Sequence, residues 1–454
     1  MLMKIIIAGS GKVGYALTRQ LSSEGYDITV VDKDSDALQN VMEHYDVMAV
    51  CGNCATKNIL VSAGVSDADL LIAATGEDEV NLLCCAVAHK INPAIHTIAR
   101  IRNPEYSEQI YGMRDVFALS MAVNPEKQAA LEIERLLKYP GFLNRDTFAK
   151  GKVEIVELKI EDGSPLCNIP LKKMGEIVKC KVLVCVVLRN GEAIAPDGNF
   201  VLSEGDRIFV TAPANELTAL LSGLGIVTKK VKNVIICGGG RIGYYLASRL
   251  SRDGFSTKII ESDYKKCTEI SAALPDVDVI NGDACNHDLL KSEGISECDA
   301  LVTLTGFDEM NMIISLYGRN KGVKQTVTKL SRLKNSGILG DIPLGSVICP
   351  NELCCNTIVQ YVRAMKNQTG AALAVHFIAD RRAEAIEFRV DDSTLHCGEP
   401  LKNLKTKKNV LVACITHGGE TEIPSGDSFY QKGDSVIVVT TGGNTIYQLS
   451  DIFA

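Results

Sequence analysis

Short apolar runs rich in Val, Ile, Leu and Ala recur through the first hundred residues, separated by segments whose apolar positions follow helical spacing. KIIIAG, DITVVD, VMAVC, LLIAAT and HTIARI read as strands, with GYALTRQLSSEG, DALQNVMEH, TKNILVSAG and NLLCCAVAHKI as the helices between them. Near-continuous apolar strands alternating with helices predict a doubly wound parallel sheet covered on both faces. In PEKQAALEIERLL, residues 125–137, apolar side chains at 129, 130, 133, 136 and 137 predict an amphipathic helix with Pro125 near its start. YPGFLNRDTF breaks that helix. From about Gly151 the period changes to two: VEIVELKI, VLVCVVLR and DRIFVTA alternate, with turns at Asp162-Gly163, Asn190-Gly191 and Glu204-Gly205-Asp206. This predicts a small α+β domain with antiparallel strands.

The whole pattern then repeats. GSGKVG at Gly9 returns as GGGRIG at Gly238, 229 positions on. At nearly the same offset Asp32 matches Glu261, Gly52-Asn53 matches Gly282-Asp283, ATGEDEVN matches LTGFDEMN, and Arg100 matches Lys329. PDGNFVLSEGDRIFV and PSGDSFYQKGDSVIV extend the match into the small domains. A repeat this long is a duplicated pair of domains and not a solenoid unit. The expected class is α/β: two tandem Rossmann-like domains, residues 1–140 and 228–366, each followed by a small α+β domain, residues 141–227 and 367–454. The basic stretch TKKVKN, residues 228–233, would link the halves.

Composition adds exclusions. A chain of 454 residues with 46 % hydrophobic and 23 % charged residues is ordinary for a globular protein, and the absence of Trp leaves the cores to aliphatic side chains. A net charge of −7 argues against a nucleic-acid partner. No signal-peptide pattern or membrane-length apolar run is read, so a cytoplasmic chain is expected, with any membrane role exerted through a partner. The 16 cysteines fit a reduced compartment. Cys51 and Cys54 have CxxC spacing but sit in a nucleotide-type unit, and only Cys285 answers them in the second half. That disfavours a redox or metal role.

The candidate chemistry lies in the glycine turns. Gly9 allows a tight turn, Gly11 lets a diphosphate approach the backbone, and Gly14 allows close helix–strand packing. With Ser10, Lys12 and Val13 they open a helix whose free N–H groups and dipole favour an anion. Asp32 ends the following strand, 18 residues after Gly14, where a carboxylate accepts ribose hydroxyls and disfavours a 2′-phosphate, hence NAD over NADP. Gly238, Gly239, Gly240, Arg241, Gly243 and Glu261 repeat the set. Lys12 and Arg241 either reach a phosphate or point to solvent. Asn53 and Asp283 either contact a base or form Asx turns. Thr75-Gly76 and Thr305-Gly306 end the fourth strands. Arg100 and Lys329 end the fifth, suited either to a phosphate, including one bound by a neighbouring subunit, or to a structural ion pair.

These residues closely resemble the regulator-of-potassium-conductance family, in an arrangement with two complete copies and no channel in the chain. The resemblance covers essentially all of the sequence and rests on GSGKVG with Asp32, GGGRIG with Glu261, Gly282-Asp283-Ala284 and the paired TGxDExN segments. It implies a non-enzymatic peripheral subunit that forms a homo-oligomeric ring, a tetramer built from dimers, on the inner face of a membrane. Binding of NAD(H) or ATP/ADP to the ring would gate an integral-membrane potassium translocator. The 125–137 helix resembles the family's crossover helix, which packs on a partner domain. Asn53 departs from the Asp that the family has at that place. Two alternatives remain: a regulator of another cation transporter or antiporter, and an NAD-dependent dehydrogenase. The dehydrogenase requires an acid/base beside the nicotinamide, and none of the seven histidines has a catalytic setting.

Overall fold

The computed structural model describes every residue except 1, 140–141, 162, 179, 214–215, 225–229, 332–341, 367–371, 381, 443–445 and 454. The proposed domain boundaries at 140/141, 227/228 and 366/367, Asp162 of one expected turn and the start of the 228–233 linker fall on or beside residues outside that description.

The first repeat opens with β1 (Lys4–Ala8), α1 (Lys12–Ser23), β2 (Asp27–Asp32), α2 (Ser35–His44), β3 (Met48–Cys51) and α3 (Lys57–Ser62). It continues with β4 (Leu70–Ala73), α4 (Asp78–Ile91), β5 (His96–Arg100), α5 (Pro104–Gln109), β6 (Met121–Val123) and α6 (Pro125–Lys138). Its small domain holds β7 (Asn144–Phe148), β8 (Val153–Lys159), α7 (Met174–Val178), β9 (Leu183–Arg189), β10 (Glu192–Ile194), β11 (Arg207–Pro213) and α8 (Leu217–Gly223). The second repeat has β12 (Asn233–Cys237), α9 (Arg241–Arg252), β13 (Ser256–Glu261), α10 (Tyr264–Ala273), β14 (Asp278–Asn281) and α11 (His287–Ser292). It goes on through β15 (Ala300–Thr303), α12 (Asp308–Asn320), β16 (Gln325–Lys329), β17 (Ser346–Ile348) and α13 (Pro350–Lys366). β18 (Ala372–Ile378), β19 (Ala383–Arg389), β20 (Val410–His417), β21 (Glu420–Glu422) and β22 (Ser435–Thr441) complete it.

The large sheets run β3-β2-β1-β4-β5-β6 and β14-β13-β12-β15-β16-β17. The strand pairs in both are parallel, as continuous apolar strands require. The order reverses beside β1 and beside β12, placing each glycine turn at a switch point where α/β sheets bind ligands. The small sheets, β10-β9-β11-β8-β7 and β18-β19-β22-β20-β21, are antiparallel and share one topology read in opposite directions. β9 and β10 close through Asn190 and Gly191 at φ 51° and 77°, the left-handed pair that a two-residue hairpin demands. β7 occupies part of the segment expected only to break a helix. β6 and β17, three residues each, are too short for periodicity to expose.

Contacts divide the chain into two compact units that do not follow the repeats. One comprises residues 1–131, 240–246 and 349–361; the other comprises 132–239, 247–348 and 362–454. In the first unit, α13 residues join the first large sheet and its helices: Arg19 pairs with Glu352 at 3.1 Å, Gln128 donates to Thr357 at 3.0 Å, and His96 meets the Tyr361 hydroxyl at 3.1 Å. In the second unit, the end of α6 packs on the second large domain: Lys138 pairs with Asp253 at 2.8 Å, and Gln325 donates to the Leu136 carbonyl at 2.7 Å. The end of α6, from Glu134 to Lys138, thus packs on the second large domain.

The two small domains share a core in which Phe148, Cys185 and Phe209 lie with Ala385, Cys414 and Ile437. At its edge, Asp146 of β7 and His376 of β18 pair at 2.8 Å, and the ring of Phe148 lies 4.5 Å from that of His376. Glu132 of α6 lies by this pair with its side chain 12 % exposed, one oxygen 3.5 Å from Arg135 and the other buried without a hydrogen-bond partner. Burial, with the nearby Asp146 charge, pushes its carboxyl up to about 7 against the opposing pull of Arg135, His376 and Arg145. A folded-state value above the unfolded one means that the folded protein binds the proton more tightly. Stability from this group is therefore full below the ordinary glutamate range and is lost as pH rises through about 7. Unfolding free energies of Glu132→Gln and the parent, measured by chemical denaturation from pH 5 to 8, should diverge in favour of the variant as pH rises, by at most about 3 kcal/mol. A pH-independent difference would refute this.

Candidate functional site: two glycine turns and their carboxylates

At the first switch point Gly9 has φ +101°, and a Cβ there would lie 2.9 Å from the backbone of Ala74 and Thr75. A Cβ on Gly14 would lie 1.8 Å from the Gly9 carbonyl oxygen. Gly11 differs: a Cβ there would meet nothing within 4 Å. Gly9 and Gly14 are thus glycines because the protein leaves no room, and Gly11 faces open space. It is also the N-cap of α1 and makes no side-chain cap, so the first turn presents unpaired N–H groups outward. Lys12 is exposed beside them and Val13 is buried under the helix.

Asp32 closes this turn from the end of β2. Its Oδ2 accepts the Ser10 amide at 2.5 Å and the Ser10 hydroxyl at 2.8 Å, and its Oδ1 accepts the Asp34 amide at 3.0 Å. Burial acts to raise its pKa, but these bonds outweigh it and hold the carboxyl below its usual range. Asp32 is therefore ionised at neutral pH and fixed at the ligand-facing edge of the sheet.

The second turn repeats the geometry with one exchange. Gly238 has φ +116° with the Leu304 carbonyl 2.8 Å from a built Cβ, and Gly240 again faces open space. Arg241 starts α9 and is exposed; Gly243 is buried within that helix. Glu261 takes the place of Asp32: its Oε2 accepts the Gly239 amide at 2.8 Å and its Oε1 the Asp263 amide at 2.9 Å. The longer acid fits because residue 239 is glycine: a Cβ there would lie 3.2 Å from the Glu261 side chain and 2.6 Å from Ile270.

The other candidates divide. Asn53 and Asp283 form Asx turns, their Oδ1 atoms accepting the Ala55 and Cys285 amides at 3.0 and 2.9 Å, and both remain exposed at the sheet edge. Thr75 and Thr305 are committed to structure: each donates its amide and hydroxyl to one oxygen, of Asn81 and of Asn311 respectively, at 2.7–2.8 Å. Asn81 also donates to the Arg100 carbonyl at 2.8 Å, and Asn311 to that of Lys329 at 3.0 Å. These two fully buried amides tie the end of β4 to β5 and of β15 to β16. They are the positioning residues that residue-by-residue reading passed over, although both stand in the paired TGxDExN segments. Gly76 is exposed with nothing near a built Cβ, as is Gly306.

Arg100 is mostly covered, and its Nε is buried without a hydrogen-bond partner. Burial, then the neighbouring Arg102 charge, lowers its pKa. The nearby Glu126 and Asp78 carboxylates oppose that shift, and Asp78 pairs with Arg102 at 3.9 Å. Lys329 instead donates Nζ to the Thr305 carbonyl at 2.5 Å. Cys54 is buried in the core with Cys84, while Cys51 is exposed at the end of β3.

Comparison with known proteins carries the same pattern across the chain. The TrkA-N domain family matches residues 5–123 and 234–350, and the TrkA-C domain family matches residues 155–224. The chain belongs to the TrkA family. It is 31 % identical to the Trk system potassium uptake protein TrkA of Vibrio alginolyticus, over 99 % of this chain and 98 % of that one. It is equally 31 % identical to the TrkA homolog of Archaeoglobus fulgidus, over 99 % and 100 %. Among solved structures it resembles the GsuK channel bound to NAD, with a TM-score of 0.61 at 17 % identity over 97 % of this chain and 77 % of that one. It also resembles the GsuK RCK domain, with a TM-score of 0.61 at 18 % identity over 97 % and 93 %. At those identities the shared feature is the fold alone, here two Rossmann-like domains, each followed by a small α+β domain.

The different roles of the glycines are open to test. Gly14→Ala should destabilise the fold by roughly 3 kcal/mol or more, because the new methyl meets backbone that cannot yield. Gly11→Ala should leave stability within about 0.5 kcal/mol. Chemical denaturation of the two variants measures both, and equal losses would contradict the assignment.

Proposed function

We propose that this chain is the nucleotide-sensing regulatory subunit of a potassium-uptake transporter, peripheral on the cytoplasmic face of the membrane, and that it is not an enzyme. The observation that carries the reading is the carboxylate–amide clamp, present twice in one chain beside an open glycine and a free helix N-terminus. It supplies a diphosphate cradle and a ribose acceptor at each switch point, suited to NAD(H) or to ATP/ADP. The names of the relatives support potassium uptake as the process. No helix of the described residues is long and apolar enough to cross a membrane, which fits ion movement through a separate integral subunit of the TrkH-like kind.

The working assembly in this reading is a homo-oligomeric ring, a tetramer built from dimers. Ligand acts through its differential affinity for the ring's conformations. The first site comprises Gly9, Ser10, Gly11, Lys12, Val13, Gly14, Asp32, Asn53, Thr75, Gly76 and Arg100. The second comprises Gly238, Gly239, Gly240, Arg241, Gly243, Glu261, Asp283, Thr305 and Lys329. The glycine-turn amides hold phosphate and the acids hold ribose. Arg100 neutralises a terminal phosphate, and Asn53 and Asp283 edge the base pocket.

Calorimetric titration of NADH and of ADP into the purified protein tests this reading. Two sites per chain are expected, and Asp32→Ala should weaken the first at least about tenfold while leaving the second. Unchanged affinity and stoichiometry in that variant would remove the first site as drawn. Loss of NADH absorbance with an added keto-acid, or its appearance from NAD with a hydroxy-acid, would instead restore the dehydrogenase reading.

A further inference from the structure

We propose that Ser10 limits the first site to one ribose hydroxyl by occupying the turn-side oxygen of Asp32. The proposal rests on the nucleotide reading above. An ionised carboxylate offers about four acceptor positions, two on each oxygen. Both positions of Asp32 Oδ2 are filled from the same residue, by the Ser10 amide at 2.5 Å and the Ser10 hydroxyl at 2.8 Å. Oδ1 already accepts the Asp34 amide at 3.0 Å, and the Lys33 amide also helps to hold the charge. At most one position therefore remains for ligand, and it lies on the oxygen away from the glycine turn.

The second repeat shows the alternative. Residue 239 is glycine and brings no hydroxyl, and among the described residues Glu261 Oε2 accepts only the Gly239 amide, at 2.8 Å. The nearby hydroxyl of Ser262 sits on the other oxygen, Oε1, at 3.3 Å, alongside the Asp263 amide at 2.9 Å. The acceptor left open thus faces the glycine turn in the second site and faces away from it in the first. A ribose whose 5′-phosphate lies in the glycine turn meets these two oxygens with different hydroxyls. Ser10 is buried, 8 % exposed, so its hydroxyl is not exchanged freely with water and competes directly with the ribose.

The test uses the full chain carrying Glu261→Ala, which isolates the first site, titrated with ADP, 2′-deoxy-ADP and 3′-deoxy-ADP. In this background, removal of one ribose hydroxyl should weaken binding about tenfold and removal of the other less than about twofold. Adding Ser10→Ala keeps the Cβ and deletes only the competing hydroxyl. It should tighten ADP about threefold or more and make both deoxy analogues weak. Ser10→Gly, which copies residue 239, should behave in the same way and guards against a fault peculiar to alanine. Equal sensitivity to both hydroxyls with Ser10 present overturns the proposal. So does weaker ADP binding in Ser10→Ala, which would mean that the hydroxyl serves the diphosphate. If the Glu261→Ala chain binds no ADP while Asp32→Ala still does, the first site and this proposal fall and the second site stands. If neither binds, the nucleotide reading falls with them.

Discussion

A carboxylate at the end of the second strand gripping the amide of a glycine turn is the contact on which the candidate sites depend. It joins two neighbouring strands where they leave the sheet, and it orients the first turn of the following helix. The turn can approach the acid only because Gly9 and Gly238 take positive φ against the backbone of the fourth strand. The helix can approach the turn only because Gly14 carries no side chain above the Gly9 carbonyl. What remains is a row of outward N–H groups beside a fixed negative charge. That pairing suits a molecule with a phosphate at one end and hydroxyls next to it.

Duplication lets the protein vary this contact without losing it. Ser10 with Asp32 and Gly239 with Glu261 are compensating pairs: the acid gains a methylene where the turn loses a side chain, and the amide bond persists at 2.5 and 2.8 Å. The ties behind the sites vary less. Asn81 and Asn311 make the same contacts in both repeats, since a buried amide lacking any of its partners would leave polar groups unsatisfied. The two ligand-facing edges are thus tuned separately while the frames stay matched. The fifth-strand cations diverge also: Lys329 is bonded back to its own turn, whereas Arg100 keeps a buried Nε without a partner.

Much of this was legible in the residues. Apolar runs at strand length, separated by helical spacing, determine a parallel sheet because both faces must be covered. Asn190-Gly191 determines its hairpin because both residues must enter the left-handed region. The glycine turns and their acids were legible because few residue types satisfy the steric and electrostatic demands at those places. Less legible were β6 and β17, which are short and are stabilised by pairing with neighbours distant in sequence, Met121–Val123 beside Ile98–Arg100 being one case, and β7, an edge strand inside a segment that reads as a helix break. Asn81 and Asn311 were hidden for a related reason. Inside an amphipathic helix an Asn reads as one more polar position until the ends of two strands are brought to it.

The sequence by itself therefore determined the repeat, the alternation of sheet types, and the chemistry offered at each switch point, since these follow from local periodicity and from residues without substitutes. Tertiary structure alone decided which polar groups remain available. It tied Asn81 and Asn311 to the Arg100 and Lys329 carbonyls, filled the turn-side oxygen of Asp32 with Ser10, and lifted the Glu132 carboxyl toward neutrality. It also divided α6 and α13 between two compact units. Hydrogen-bond capacity and desolvation depend on what lies within a few ångströms, and for these residues most of those neighbours are far away along the chain.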